Sequence, residues 1–158
     1  MKKVITILLT FVLFMPVSVC ATTDSASAKI VILDDGNYFE TVIEDDVTDY
    51  QNASATLKAS STTTKSKTTY FKNSSGNILW YVKVTGTFTY GNGSAKCTKS
   101  ICTAESKSKA WKVSNKASSK TGNCASASAT GTHYINGASA ETYTRTVTLK
   151  CSSTGKFS

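Results

Sequence analysis

Residues Ile78–Tyr90 read ILWYVKVTGTFTY, the longest strand-like run in the chain. Ile78, Trp80, Val82, Val84, Phe88 and Tyr90 fall at even positions, with Gly86 the one gap. The odd register holds Leu79, Tyr81, Lys83, Thr85, Thr87 and Thr89 and turns polar after Tyr81. A period of two marks a strand with one face buried and the other wet. The rest of the chain is expected to pair with this strand and close over its apolar face.

Downstream, Gly91-Asn92-Gly93 reverses into Ser94–Thr103, and Lys109–Ala117 alternates Trp111 and Val113 with lysines. Thr121-Gly122-Asn123 turns into Cys124–Ile135, where Ala125, Ala127, Ala129, Gly131 and His133 share a face. Glu141–Cys151 reads as the last strand, with Tyr143, Arg145, Val147, Leu149 and Cys151 opposite a row of threonines and Lys150. Upstream, Tyr70-Phe71 is a short strand, and a basic domain spanning 69–158 is expected to begin there. Residues 54–68 hold almost nothing to bury except Leu57 and read as a polar linker or an outward-facing edge. Before them, Ile30–Leu33 and Tyr38–Ile43 flank Asp34-Asp35-Gly36-Asn37, a strong hairpin signal. Short strands between Gly and Asn turns, with no convincing helix, predict an all-β fold: an antiparallel β-sandwich with an N-terminal hairpin extension. An immunoglobulin-like topology is one form of it, although the Cys and Trp order of a true immunoglobulin domain is missing.

The N-terminus predicts the compartment. Lys2 and Lys3 precede an apolar run over Val4–Val19, and small residues follow, the pattern of a secretory signal peptide over 1–21. Ala26-Ser27-Ala28 offers a cleavage site as late as 28. A transmembrane anchor is the rival, but Pro16 and the lack of a basic stop signal favour cleavage. The mature chain, roughly 130 residues, is one domain's worth. It is expected to be secreted, extracellular or loosely envelope-associated, with no stable membrane insertion once the signal is gone.

Charge is unevenly placed. Seven acids stand against one lysine between Lys29 and Ala53, whereas Ser54–Ser158 carries fourteen lysines and Arg145 against Glu105 and Glu141. The whole-chain net of +8 hides this contrast. The acidic segment 29–53 is expected either to dock on the basic domain as a hairpin or to be a removable pro-segment. A basic exported domain suits anionic partners, although a charged surface also serves solubility alone.

Without Cys20, four cysteines remain, Cys97, Cys102, Cys124 and Cys151, which in an exported chain read as two disulfides. Three connectivities exist. Cys97–Cys151 with Cys102–Cys124 is preferred from the positions of the strand ends. A zinc site is disfavoured by the loose spacing and the oxidising compartment.

Catalytic groups are sparse. Glu105 and Glu141 are the carboxylate side chains beyond Asp49, and His133 is the sole histidine. A glycosidase pair or a His-assisted nucleophile finds no supporting spacing. Nor does the chain contain HExxH, GxSxG or a phosphate-binding glycine loop. The acidic clusters near Asp34 and Glu44 read as solvated loops rather than calcium ligands. No enzyme activity, metal or cofactor is expected. What remains is a binding surface: Lys107, Lys109, Lys112, Lys116 and Lys120 gather around Trp111. On a strand, the lysine-rich face would be exposed and Trp111 mostly buried. The partner expected is an anionic cell-wall polymer, or alternatively an extracellular protein met as a secreted effector or inhibitor. Single-stranded nucleic acid would call for more exposed aromatics.

The runs VTGTFTYGNGSAKCT, AWKVSNKASSKTGNCASASATGTHY and TRTVTLKCSSTGK, within Leu79–Ser158, resemble small secreted β-rich proteins of Gram-positive bacteria, a family of no known activity. That resemblance implies an exported origin and carries no site residues.

Overall fold

A computed structural model describes residues 28–44 and 60–158. The expected signal peptide and the acidic cluster beyond Glu44 lie outside the described residues. Eight strands form two antiparallel sheets, and the described residues contain no helix. Sheet A runs β1 (Lys29–Ile32), β2 (Tyr38–Glu44), β3 (Ser61–Lys72), β4 (Ile78–Gly91) and β5 (Ser94–Ser106) in spatial order. Sheet B runs β6 (Trp111–Thr121), β7 (Cys124–Ile135) and β8 (Ala138–Lys150). Both are sequential meanders packed face to face as a sandwich. An immunoglobulin-like topology would need a Greek-key crossing, and neither sheet has one.

The alternation in β4 sets the core. Trp80, Val82, Val84 and Phe88 are fully buried, while Tyr81, Lys83, Thr85, Thr87 and Thr89 line the outer face. Sheet B answers with Ala125, Ala127, Ala129, Val147 and Leu149, all buried. The small residues of β7 let the sheets approach. Gly131 lies under the Trp80 indole, so close that an added Cβ would sit 2.3 Å from a ring carbon.

The described part of the acidic segment, 29–44, enters the sheet. Its turn is closed by Leu33 N donating to Asn37 O and Gly36 N to Leu33 O, with Gly36 at φ 80°. A residue without Cβ adopts that conformation at little cost. β2 then pairs along its whole length with β3. Strand parity sends Glu40 and Glu44 to the outer face and Phe39 into the core. The stretch read as a linker or edge, 54–68, contributes Ser61–Thr68 to β3, which pairs with β4 from Ser61 and with β2 as well from Ser66. The expected start of the domain near Thr69 therefore falls inside a central strand.

On the outer face, Glu44 joins β2 to β3 and β4. It accepts from Thr68 Oγ1 at 2.6 Å, from Tyr70 OH at 3.3 Å and from the Lys83 ammonium. Burial raises its pKa, but the bonds from Lys83 and Thr68 and the Lys83 charge outweigh that, and the net shift is downward. A carboxylate lowered in the folded state contributes stability above its unfolded pKa and loses it as pH falls through the folded value. Acid unfolding is therefore expected to draw on this group below pH about 4. In a urea-melt series over pH, Glu44→Gln should be less stable than the parent at pH 7 and should converge with it in acid. A constant offset at every pH would refute the role.

Candidate functional site

The β5–β6 connection crosses from one sheet to the other and is pinned at both ends. Lys107 N and Ser108 N donate to Leu79 O, Trp111 N donates to Ser108 O, and Tyr134 N donates to Ala110 O. Ser106 Oγ donates to Ser108 O at 2.6 Å. Trp111 opens β6 from inside the sandwich, 5% exposed, edge-on to Phe71 and stacked on His133 with ring centroids 5.0 Å apart. It anchors the edge and offers no platform to a ligand.

The five lysines named with Trp111 are all exposed, yet they do not share one strand face. Lys112 points from the outer face of sheet B, with its ammonium 4.7 Å from the Tyr134 ring centroid. Lys116 sits in a bulge between Ser114 and Ala117, where Asn115 has φ 50°. The bulge breaks the alternation that the sequence suggested for Lys109–Lys116. Lys120 reaches across to β5 and donates to Thr98 O at 2.6 Å. Lys107 and Lys109 lie in the connection, Lys107 paired with Glu105 at 3.1 Å and 5.5 Å from the Tyr81 ring centroid. The Lys107 bond, then Tyr81 and the lysine charges, hold the Glu105 carboxyl below its usual range.

Two further lysines join them, Lys96 and Lys99 of β5. Their odd spacing would place them on opposite faces of a regular strand. The ladder shifts at Thr87/Phe88, so that Lys99 opposes Thr87, Cys97 opposes Phe88 and Lys96 opposes Thr89. Cys97 turns inward and both lysines turn outward. Bulges of this kind re-aim side chains and leave no sequence period to read. Lys96, Lys99, Lys116 and Lys120, with Lys107 and Lys109 in the connection, make a cationic edge roughly 40 Å long at about 3.3 Å per residue. Glu105 is the one acid within β5, β6 and their connection. Ammonium groups on flexible stems are point charges that meet phosphate or carboxylate without demanding planar geometry.

The preferred disulfides do not form. Cys97, Cys102 and Cys151 carry free thiols. Cys102 Sγ lies 3.5 Å from Ser128 O, four residues along β7 from Cys124. That is roughly 13 Å of strand, too far for a bridge. Cys97 and Cys151 lie near each other, their amides donating to the successive carbonyls of Gly122 and Asn123. Each thiol turns to a local carbonyl, Cys97 to Lys99 O and Cys151 to Ser152 O. Burial, and then the charge of Cys97, push the Cys151 thiol up to about 11.

His133 faces Glu141 across the β7–β8 pair, and the described residues show no hydrogen bond between them. Glu105 is on the outer face of sheet A, beside Tyr81. Among the described residues, no three His, Cys, Asp or Glu side chains gather as a metal would require. Compared with known proteins, the chain matches no family model, no curated protein and no solved structure.

Proposed function

We propose that this chain is a secreted, non-enzymatic β-sandwich domain that associates with anionic polymers of the cell envelope along the β5–β6 edge. One observation carries the reading: seven exposed lysines, Lys96, Lys99, Lys107, Lys109, Lys112, Lys116 and Lys120, stand on β5, β6 and their connection with Glu105 alone against them. Exposed charges act at a range set by the Debye length, so binding through them weakens as salt rises. The test is binding of the purified protein to isolated Gram-positive cell walls, with and without their anionic polymers, across a salt series. Binding should vanish with the polymer and fall steeply with salt. A lysine close to an anionic surface contributes about 1 kcal/mol, by analogy with acidic lipid. A variant carrying Lys112→Gln, Lys116→Gln and Lys120→Gln should then bind on the order of 100-fold more weakly at low salt. No binding at low salt, or an unchanged triple variant, would overturn the reading.

A protein partner is the second reading, and one feature favours it. Among the described residues β1 is the outermost strand of sheet A, with Ile30 55% and Ile32 74% exposed. Such an edge is open to strand addition, which depends on main-chain hydrogen bonds and apolar contact. Salt-insensitive capture of a protein would select it.

A further inference from the structure

Sheet A is wider than sheet B, and a second cationic site lies beneath its overhang. β8 packs over β3 and β4, whereas β2 is reached from sheet B by the side chains of Tyr143 and Arg145. The inner face of the overhang can be followed from the register. Lys29 of β1 opposes Thr41 of β2, which opposes Thr69 of β3. One row further along, Ile43 opposes Lys67, and in the other direction Val31 opposes Phe39. Lys29 and Lys67 therefore flank Thr41 from the two neighbouring strands. Arg145 comes down from β8 with its guanidinium carbon 3.8 Å from the Phe39 ring centroid, in the adjoining row.

The three cations thus fall in three successive rows with Thr41 in the middle one, and no acid of the hairpin strands joins them. Glu40 and Glu44 leave β2 on the opposite face, where they pair with Lys72 and Lys83. Asp35 and Glu141 act on the Tyr143 side. Among the described residues neither bonds Lys29, Lys67 or Arg145, and none of the three cations has a hydrogen bond or ion pair. Arg145 Nε is buried and unsatisfied. A buried donor without an acceptor carries a desolvation cost that a bound anion would remove. Thr41 and Thr69 share one hydrogen bond at 2.7 Å. With Thr69 as donor, the proton of the more open Thr41 is left to reach outward.

We propose that this overhang is a binding site for a phosphate-type oxyanion, gripped by Lys29, Lys67 and Arg145 around the Thr41 hydroxyl. The arrangement supplies charge-assisted donors from three strands, with an arginine fork whose guanidinium is laid over Phe39. Burial, and then the nearby Lys29 charge, push the Lys67 ammonium down, and a dianion between the two lysines would reverse the second effect. The shared chemistry is a phosphate oxyanion, from free phosphate or from a phosphodiester polymer. The site faces the inner side of sheet A and does not depend on the β5–β6 edge.

Arg145 is the sole arginine in the chain, so its Nε–H signal is an isolated reporter. The ¹⁵N-labelled full chain would be titrated with inorganic phosphate, with a glycerol phosphate polymer and with acetate, each at ionic strength fixed by sodium chloride. Phosphate or the polymer should move the Arg145 Nε–H signal along a saturable curve, and whichever saturates at lower phosphate concentration identifies the source. Lys67→Met keeps the apolar stem and should weaken that binding about tenfold, the loss of one charge-assisted bond. The Lys112/Lys116/Lys120 glutamine variant should leave the curve unchanged while lowering wall binding, which separates this site from the edge. A linear response, an equal response to acetate, or a Lys67→Met curve matching the parent would overturn the proposal.

Discussion

Phe39→Ala should destabilise the protein by about 3–5 kcal/mol, the usual cost of emptying a buried phenylalanine site. Phe39 is 3% exposed, its ring centroid 4.7 Å from that of Phe71 and 6.1 Å from that of Trp80, with Arg145 laid over its face. Truncation would open a cavity beside three aromatic rings and strip the arginine of its support. Against a total stability of about 5–15 kcal/mol, the loss would be a large part of the whole. Thermal melting should show a midpoint lowered on the order of 10 °C or more. The result also bears on the acidic hairpin. If its phenylalanine closes the core, the segment cannot be removed without exposing Phe71. A change below about 1 kcal/mol would mean that the hairpin only rests on the sheet, and would favour the pro-segment reading.

Gly131→Ala should also be severely destabilising, through crowding in place of a cavity. The new methyl would sit 2.3 Å from Trp80 Cε2 and 2.6 Å from Nε1. Trp80 is fully buried against Phe39 and Phe71 and has no open side to move into. Overpacking of this kind costs about 3 kcal/mol at the upper end of its usual range. Gly93→Ala is the useful contrast. Its Cβ would meet open space, and the cost there comes from a φ of 77° alone, about 1 kcal/mol. Equal melting temperatures for the two variants would show that the indole is free to retreat.

Where one face of a strand is buried along its length, the sequence told it. The alternation of Trp80–Tyr90 and of Tyr143–Cys151, and the alanine row of β7, appear in the structure as read, whereas Ile78, placed on the apolar face by its even position, is exposed beyond a shift in the β3–β4 ladder. β3 was hidden for a physical reason. Its inward row runs Thr63, Lys65, Lys67, Thr69 and Phe71, half-buried over the first three and buried over the last two. Sheet packing reaches only the end of that strand, so only there is an apolar residue needed. The lysines of β6 were legible by composition and exposure, while Lys96 and Lys99 were not, because their common direction depends on a ladder shift. The Cys102–Cys124 pairing failed on register, since which residue of β7 lies beside Cys102 is set by how two sheets face each other. The overhang was illegible for the same reason: Lys29, Lys67 and Arg145 are far apart in the chain and become neighbours only through strand pairing and the facing of the two sheets.

Within each sheet, strands stand in the order in which they are made. Every ladder is therefore a nearest-neighbour pairing, closed by a reversal of two to five residues except between β2 and β3. Loop closure over such short spans costs little chain entropy, and local pairings are the fast ones. A chain threaded through a membrane from its N-terminus would offer each strand its partner as soon as it emerged. The five-stranded sheet would be complete before the three-stranded one began, leaving its apolar face bare until the last fifty residues arrived. During that interval a holding factor would find its substrate in Trp80, Val82, Val84 and Phe88.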